Sequence, residues 1–142
     1  MTQMRLVGAE LVGWKGSSNR RRHARYALPA MYTQVAVRML DTDRFSIEGH
    51  AYDISEGGLR FEADRAIKPG TGVALQVTLP GMHTRDLGPG RAVFVFANIV
   101  WLEDEEDPAP YKMAAVFTRF ARAGDWERLR NELIEGRYRL AA

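Results

Sequence analysis

From residue 31 onward, apolar and polar residues alternate in short runs. Val35, Val37 and Met39 alternate with Gln34, Ala36 and Arg38, the period-two pattern of a strand with one face buried. A second run, from Phe45 to Asp53, puts Phe45, Ile47 and Ala51 on one face, and Leu59 and Phe61 follow across the Gly57-Gly58 pair. Val73, Leu75, Val77 and Leu79 are separated by Ala74, Gln76 and Thr78, between turn residues Pro69-Gly70 and Pro80-Gly81. Arg91 to Leu102, rich in aromatic and β-branched residues, predicts a long strand, and Tyr111, Met113, Ala115 and Phe117 alternate again. The period then changes to 3.6. Trp126, Leu129, Leu133, Ile134 and Tyr138 fall at helical spacing, with Asp125 placed to cap the helix start.

These runs predict a mainly β fold, six short antiparallel strands followed by one C-terminal helix over about residues 124–139. A half-polar sheet of that many strands manages its edges by closing into a barrel. Neither an internal repeat nor a second domain is visible. The barrel and its helix occupy residues 19–142, preceded by a flexible segment, residues 1–18, where Gly13, Gly16, Ser17 and Ser18 discourage regular structure.

Composition narrows the function classes. The 142 residues suit one domain with a real core. Cysteine is absent, which removes thiol chemistry and disulfides. The three histidines, His23, His50 and His83, lie far apart without metal-ligand spacing, so no metal or other cofactor is expected. The N-terminus lacks a signal-peptide pattern, and the longest nearly apolar run, Ala92 to Leu102, falls short of the ~18–20 residues that span a bilayer. A cytoplasmic protein without a membrane span is expected. No Ser-His-Asp constellation, phosphate-binding loop or carboxylate pair stands out, so no catalytic residues are assigned and an enzyme is not expected.

Net charge is +2, but unevenly spread: Lys15, Arg20, Arg21, Arg22 and Arg25 crowd one segment, and Glu103 to Asp107 form an acidic block. Two stretches carry chemistry. In Asn19-Arg20-Arg21-Arg22-His23-Ala24-Arg25-Tyr26, guanidinium forks match phosphate oxygens and can stack on a base. Alone, the segment reads first as a basic solvated tail or a nonspecific nucleic-acid arm. In Asp53-Ile54-Ser55-Glu56-Gly57-Gly58, a carboxylate and a hydroxyl can read an edge with adjacent N–H donors, such as guanine's, and the glycines permit positive φ and close backbone approach. Alone, this stretch reads equally as a strand-to-strand turn whose Asp53 and Ser55 bond their own backbone.

The pair, in this order on one small β-domain, resembles the PilZ domains, bacterial receptors for cyclic di-GMP. Arg21 and Arg25 match the family's R-x-x-x-R pattern, with Arg20 as a preceding arginine, and Asp53, Ser55 and Gly58 match its D/N-x-S-x-x-G turn. The resemblance runs from about Asn19 to Phe120 and includes a late strand, Ala97 to Trp101. Ala114 and Ala115 stand where the family often carries glycine. The resemblance implies a six-stranded barrel with the ligand on its outer surface and an arginine arm that orders over it. It implies a cyclic di-GMP site of Arg20, Arg21, Arg25, Asp53, Ser55 and Gly58, read out by an effector protein; the acidic loop and C-terminal helix offer it surfaces, but read first as a solvated loop and a cover for one end of the barrel. The alternatives are a module of the same fold that binds proteins without a nucleotide, and a small barrel for single-stranded nucleic acid. Against the latter stand the confinement of the basic cluster to one segment and the acidic block.

Overall fold

In the computed structural model, which describes residues 23–29, 31–80, 92–104, 106, 108–136 and 138–141, each alternating run becomes a strand. A two-residue β1 (Tyr26–Ala27) precedes β2 (Gln34–Met39), β3 (Ile47–Ile54), β4 (Gly58–Ala63), β5 (Gly72–Thr78), β6 (Val93–Leu102) and β7 (Tyr111–Phe120). One helix, α1 (Asp125–Glu135), and a second two-residue strand, β8 (Arg139–Leu140), follow. Strands two to seven lie in the order β2-β5-β6-β7-β4-β3, and an antiparallel β2–β3 ladder closes them into a six-stranded barrel. At its tightest crossing, Gly49 of β3 runs so near β4 that a Cβ there would overlap the Glu62 carbonyl oxygen; only glycine tolerates that approach.

The period-two faces meet inside. Val35, Val37, Ile47, Leu59, Phe61 and Leu75 are all but excluded from solvent, and each such side chain stabilises the fold by about 1.5–3 kcal/mol relative to exposure. Ala114 and Ala115 are fully buried. Ala115 joins the core, and Ala114 sits on the ladder between Arg60 of β4 and Trp101 of β6. Phe45 departs from expectation: it precedes β3 and packs edge-on against Phe94 of β6, with ring centroids 5.8 Å apart, outside the core cluster.

The helix is rotated from the apolar stripe read in the sequence. Its buried residues are Asp125, Leu129, Glu132 and Leu133, whereas Trp126 and Ile134 face solvent. Two carboxylates can occupy the inner face because both are paired. Asp125 accepts from the Arg122 and Arg128 guanidiniums at 2.7–3.1 Å, and Glu132 accepts from the Tyr138 hydroxyl at 2.7 Å. Asp125 is therefore no cap; the cap position is Gly124, with no side-chain bond. The helix ends at Glu135, short of the expected 139, because Gly136 lets the chain fold back where a Cβ would strike the Tyr138 ring. That reversal sends the chain into β8. Among the described residues, no helix is long and apolar enough to cross a membrane.

Phe61→Ala is expected to lower unfolding stability by about 3–5 kcal/mol, while Trp126→Ala, on the exposed helix face, should change it by about 0.5 kcal/mol or less. Denaturant unfolding followed by circular dichroism checks both; equal losses would contradict the burial pattern.

Candidate functional site

The two sequence stretches come together through a short piece of backbone. β1 pairs with β3 so that Tyr26 faces Ile54 and Ala27 faces Asp53, which brings Arg25, just before β1, to the end of β3 that Ser55 follows. The Leu28 amide continues the contact by donating to the Tyr52 carbonyl at 3.1 Å. On its other edge β1 pairs with β8, and the Ala141 amide donates to the Arg25 carbonyl at 2.8 Å. The half-buried Arg25 thus leaves a strand held from both sides. Arg20 and Arg21 lie outside the described residues. His23 leans on the turn: a Cβ on Gly57 would stand 3.1 Å from its ring.

Asp53 owes its setting to a bulge. The β3–β4 register shifts between Ala51 and Asp53, leaving Tyr52 as the extra residue and bringing Asp53 opposite Arg60. Asp53 is buried, and its Oδ2 accepts from both Nε and an Nη of Arg60, at 2.9 and 2.8 Å. Its Oδ1 is buried with no hydrogen-bond partner. The Arg60 guanidinium lies 5.5 Å from the centre of the Tyr52 ring. Its bond to Asp53 raises the Arg60 pKa further, against the opposing effect of burial.

Ser55 shapes the turn. Its amide donates to the Gly58 carbonyl at 2.8 Å, and its hydroxyl accepts from the Gly57 amide at 3.0 Å. The turn reading therefore holds for Ser55, whereas Asp53 bonds a side chain on the next strand and not its own backbone. The positive-φ glycines of the described residues are Gly70 and Gly124, so Gly57 and Gly58 do not rely on unusual backbone angles, and Gly57 leaves room for the His23 ring. Gly58 is buried at the start of β4, opposite Val116.

The structure therefore brings together Arg25, Asp53, Ser55 and Gly58. It adds Arg60, Tyr52 and His23. His23 lies inside the arginine stretch but is not one of the assigned residues. Arg60 and Tyr52 were missed because their places depend on the bulge, which shifts the pairing by one residue without any sign in the hydrophobic pattern. A cleft of about 590 Å³ lies elsewhere, at the opposite ends of β3 and β4. Glu48, Glu62 and Asp64 line it, so it is poorly suited to a phosphodiester. Among the described residues no group of histidines and carboxylates is placed to hold a metal ion.

The PilZ domain family model matches residues 19–135. Solved structures share the fold. The PilZ domain of YcgR from Escherichia coli with c-di-GMP is 17% identical, with a TM-score of 0.54 over 81% of this chain and 89% of that one. Escherichia coli YcgR in complex with c-di-GMP is 15% identical, with a TM-score of 0.57 over 83% of this chain and 46% of that one. The motility inhibitor MotI/DgrA of Bacillus subtilis is 18% identical, with a TM-score of 0.53 over 82% of this chain. This chain spans about half of that protein, 53%. No curated protein matches.

Burial, the largest influence, raises the Tyr52 phenol above its ordinary pKa, while Arg60 pulls the other way. The folded state thus favours the neutral phenol, a contribution present below about pH 10 and lost as pH rises through the folded value. An alkaline titration of tyrosine absorbance should contain a late component that Tyr52→Phe removes. Its persistence in the variant would contradict the burial of this ring.

Proposed function

The chain belongs to the PilZ domain family, and we propose that it is a receptor for cyclic di-GMP that signals to a partner protein. PilZ domains are regulatory ligand-binding modules, and several of the fold's solved relatives carry this dinucleotide. The observation that most supports the reading in this chain is the Asp53 carboxylate. It is buried beside the strand that follows Arg25, with one oxygen held by Arg60 and the other without a partner. A buried acceptor left unsatisfied costs about 1–3 kcal/mol, which a ligand donor would recover.

In this reading Asp53 and Ser55 meet a guanine edge, whose adjacent N–H groups suit acceptors. Arg21 and Arg25 bind the phosphates and stack on or hydrogen-bond guanine, Arg20 assists, and Gly58 keeps the turn slim enough for contact. The arginine arm orders over the ligand. Ordering of a segment on binding consumes roughly 2–5 kcal/mol of the gross interaction, so the charge-assisted contacts must exceed that. The ordered arm is the output, and an effector protein in the cytoplasm reads it.

One feature of the fold disfavours the single-stranded nucleic acid alternative. Such proteins offer bare aromatic faces for bases; the outer face of β6 is no such platform, because Phe94 and Phe96 are covered by the chain's own Arg122 and Arg119, each 4.5 Å from the ring centre, although Tyr32 is exposed.

Isothermal titration calorimetry with cyclic di-GMP, with GTP and a short single-stranded oligonucleotide as controls, tests the reading. Selective binding is expected, with a shallow salt dependence because only two phosphates are engaged. Arg21→Ala or Arg25→Ala should weaken it by at least about tenfold. No heat from the folded wild-type protein would overturn the proposal in favour of a nucleotide-free interaction module, or of nucleic-acid binding if the oligonucleotide bound.

A further inference from the structure

We infer that Arg60 is a positioning residue for base recognition: it holds Asp53 by one carboxylate oxygen and thereby presents the other to the ligand. The inference rests on the proposed cyclic di-GMP site and adds a residue outside the two matched motifs.

An arginine commonly meets a carboxylate as a fork, one N–H donor to each oxygen. Here the fork is one-sided. Nε and an Nη of Arg60 converge on Oδ2, at 2.9 and 2.8 Å, and Oδ1 is left buried with no partner. Two features keep the pair in this arrangement. The bulge at Tyr52 brings Asp53 into register with Arg60 on the neighbouring strand. The Tyr52 ring then supports the guanidinium, 5.5 Å from its centroid. Side-chain exposure follows the same division, 4% for Asp53 against 34% for Arg60. The carboxylate is covered while the guanidinium remains partly in water, so a base edge reaches the unpartnered Oδ1 only by displacing what lies over it.

A carboxylate so fixed offers an acceptor and no donor at the position where a base edge arrives. Guanine's adjacent N1–H and N2–H groups can both donate to it, whereas adenine brings one donor, N6–H, beside a ring-nitrogen acceptor that the carboxylate repels. Releasing the carboxylate from Arg60 frees it to rotate, which weakens the acceptor's aim and relaxes the choice of base. Arg60 acts through Asp53 and needs no contact of its own with the ligand.

A double-mutant cycle tests this, because it separates action through Asp53 from independent action. Calorimetry is run with cyclic di-GMP and cyclic di-AMP on wild type, Arg60→Met, Asp53→Ala and the double variant, each checked for folding by circular dichroism. Arg60→Met should weaken cyclic di-GMP binding by about tenfold and narrow the gap to cyclic di-AMP. In the Asp53→Ala background the same change should have almost no further effect. Arg60→Lys keeps the charge but cannot aim paired donors at one oxygen, so it should not restore wild-type affinity; it also serves if Arg60→Met does not fold. Wild-type affinity in Arg60→Met or Arg60→Lys, or full additivity with Asp53→Ala, would overturn the inference while leaving the receptor reading intact. Failure of the wild-type protein to bind cyclic di-GMP overturns both.

Discussion

Strand β3 carries more of the structure than its eight residues suggest, because its two edges serve three ladders. One edge pairs with β4 from Gly49 to Ile54, across the bulge at Tyr52. The other is divided, with residues 47–50 closing the barrel against β2 and residues 53 and 54 receiving β1. Barrel closure and assembly of the site therefore depend on the same backbone. A one-residue slip in β3 would expose Ile47 and Ala51 and also separate Asp53 from both Ala27 and Arg60. The core thus enforces the geometry of the candidate site.

Two buried aspartates show how differently the fold treats the same side chain. Asp125 meets two arginines with both oxygens and also accepts the Arg122 amide, which suits a carboxylate whose task is to seat a helix. Asp53 has one arginine on one oxygen. Burying a charge is tolerable only when it is paired and hydrogen-bonded. Asp125 satisfies that condition in full and Asp53 by half, and the unsatisfied half lies beside Arg25's strand. Structural carboxylates are saturated; an acceptor kept in reserve is the more informative observation about function.

The six barrel strands were readable from alternation because one face of each is buried, so polarity reports orientation directly. The two motifs were readable from residue type and order. What escaped the sequence has definite causes. β1 and β8 are two residues each, too short to show a period. The Arg60–Asp53 pair depends on a bulge that no residue pattern announces. The helix face was misjudged because Trp126 and Ile134 looked like core residues, whereas Asp125 and Glu132, once paired, proved better suited to the inner side. Phe45 found an aromatic partner on the outer wall. For the helix and Phe45, a specific polar pairing or ring contact outweighed hydrophobicity averaged along the chain.

The pairing of β8 with β1 joins regions more than a hundred positions apart. Arg25 is tethered through its carbonyl to Ala141, and Tyr138 anchors the approach to β8 on the helix through Glu132. Helix, final strand and β1 therefore form a mechanical linkage. Tension applied beyond Leu140 would be felt at Arg25 before it reached the barrel. Conversely, whatever stiffens β1 also braces the end of the helix on the far side of the linkage.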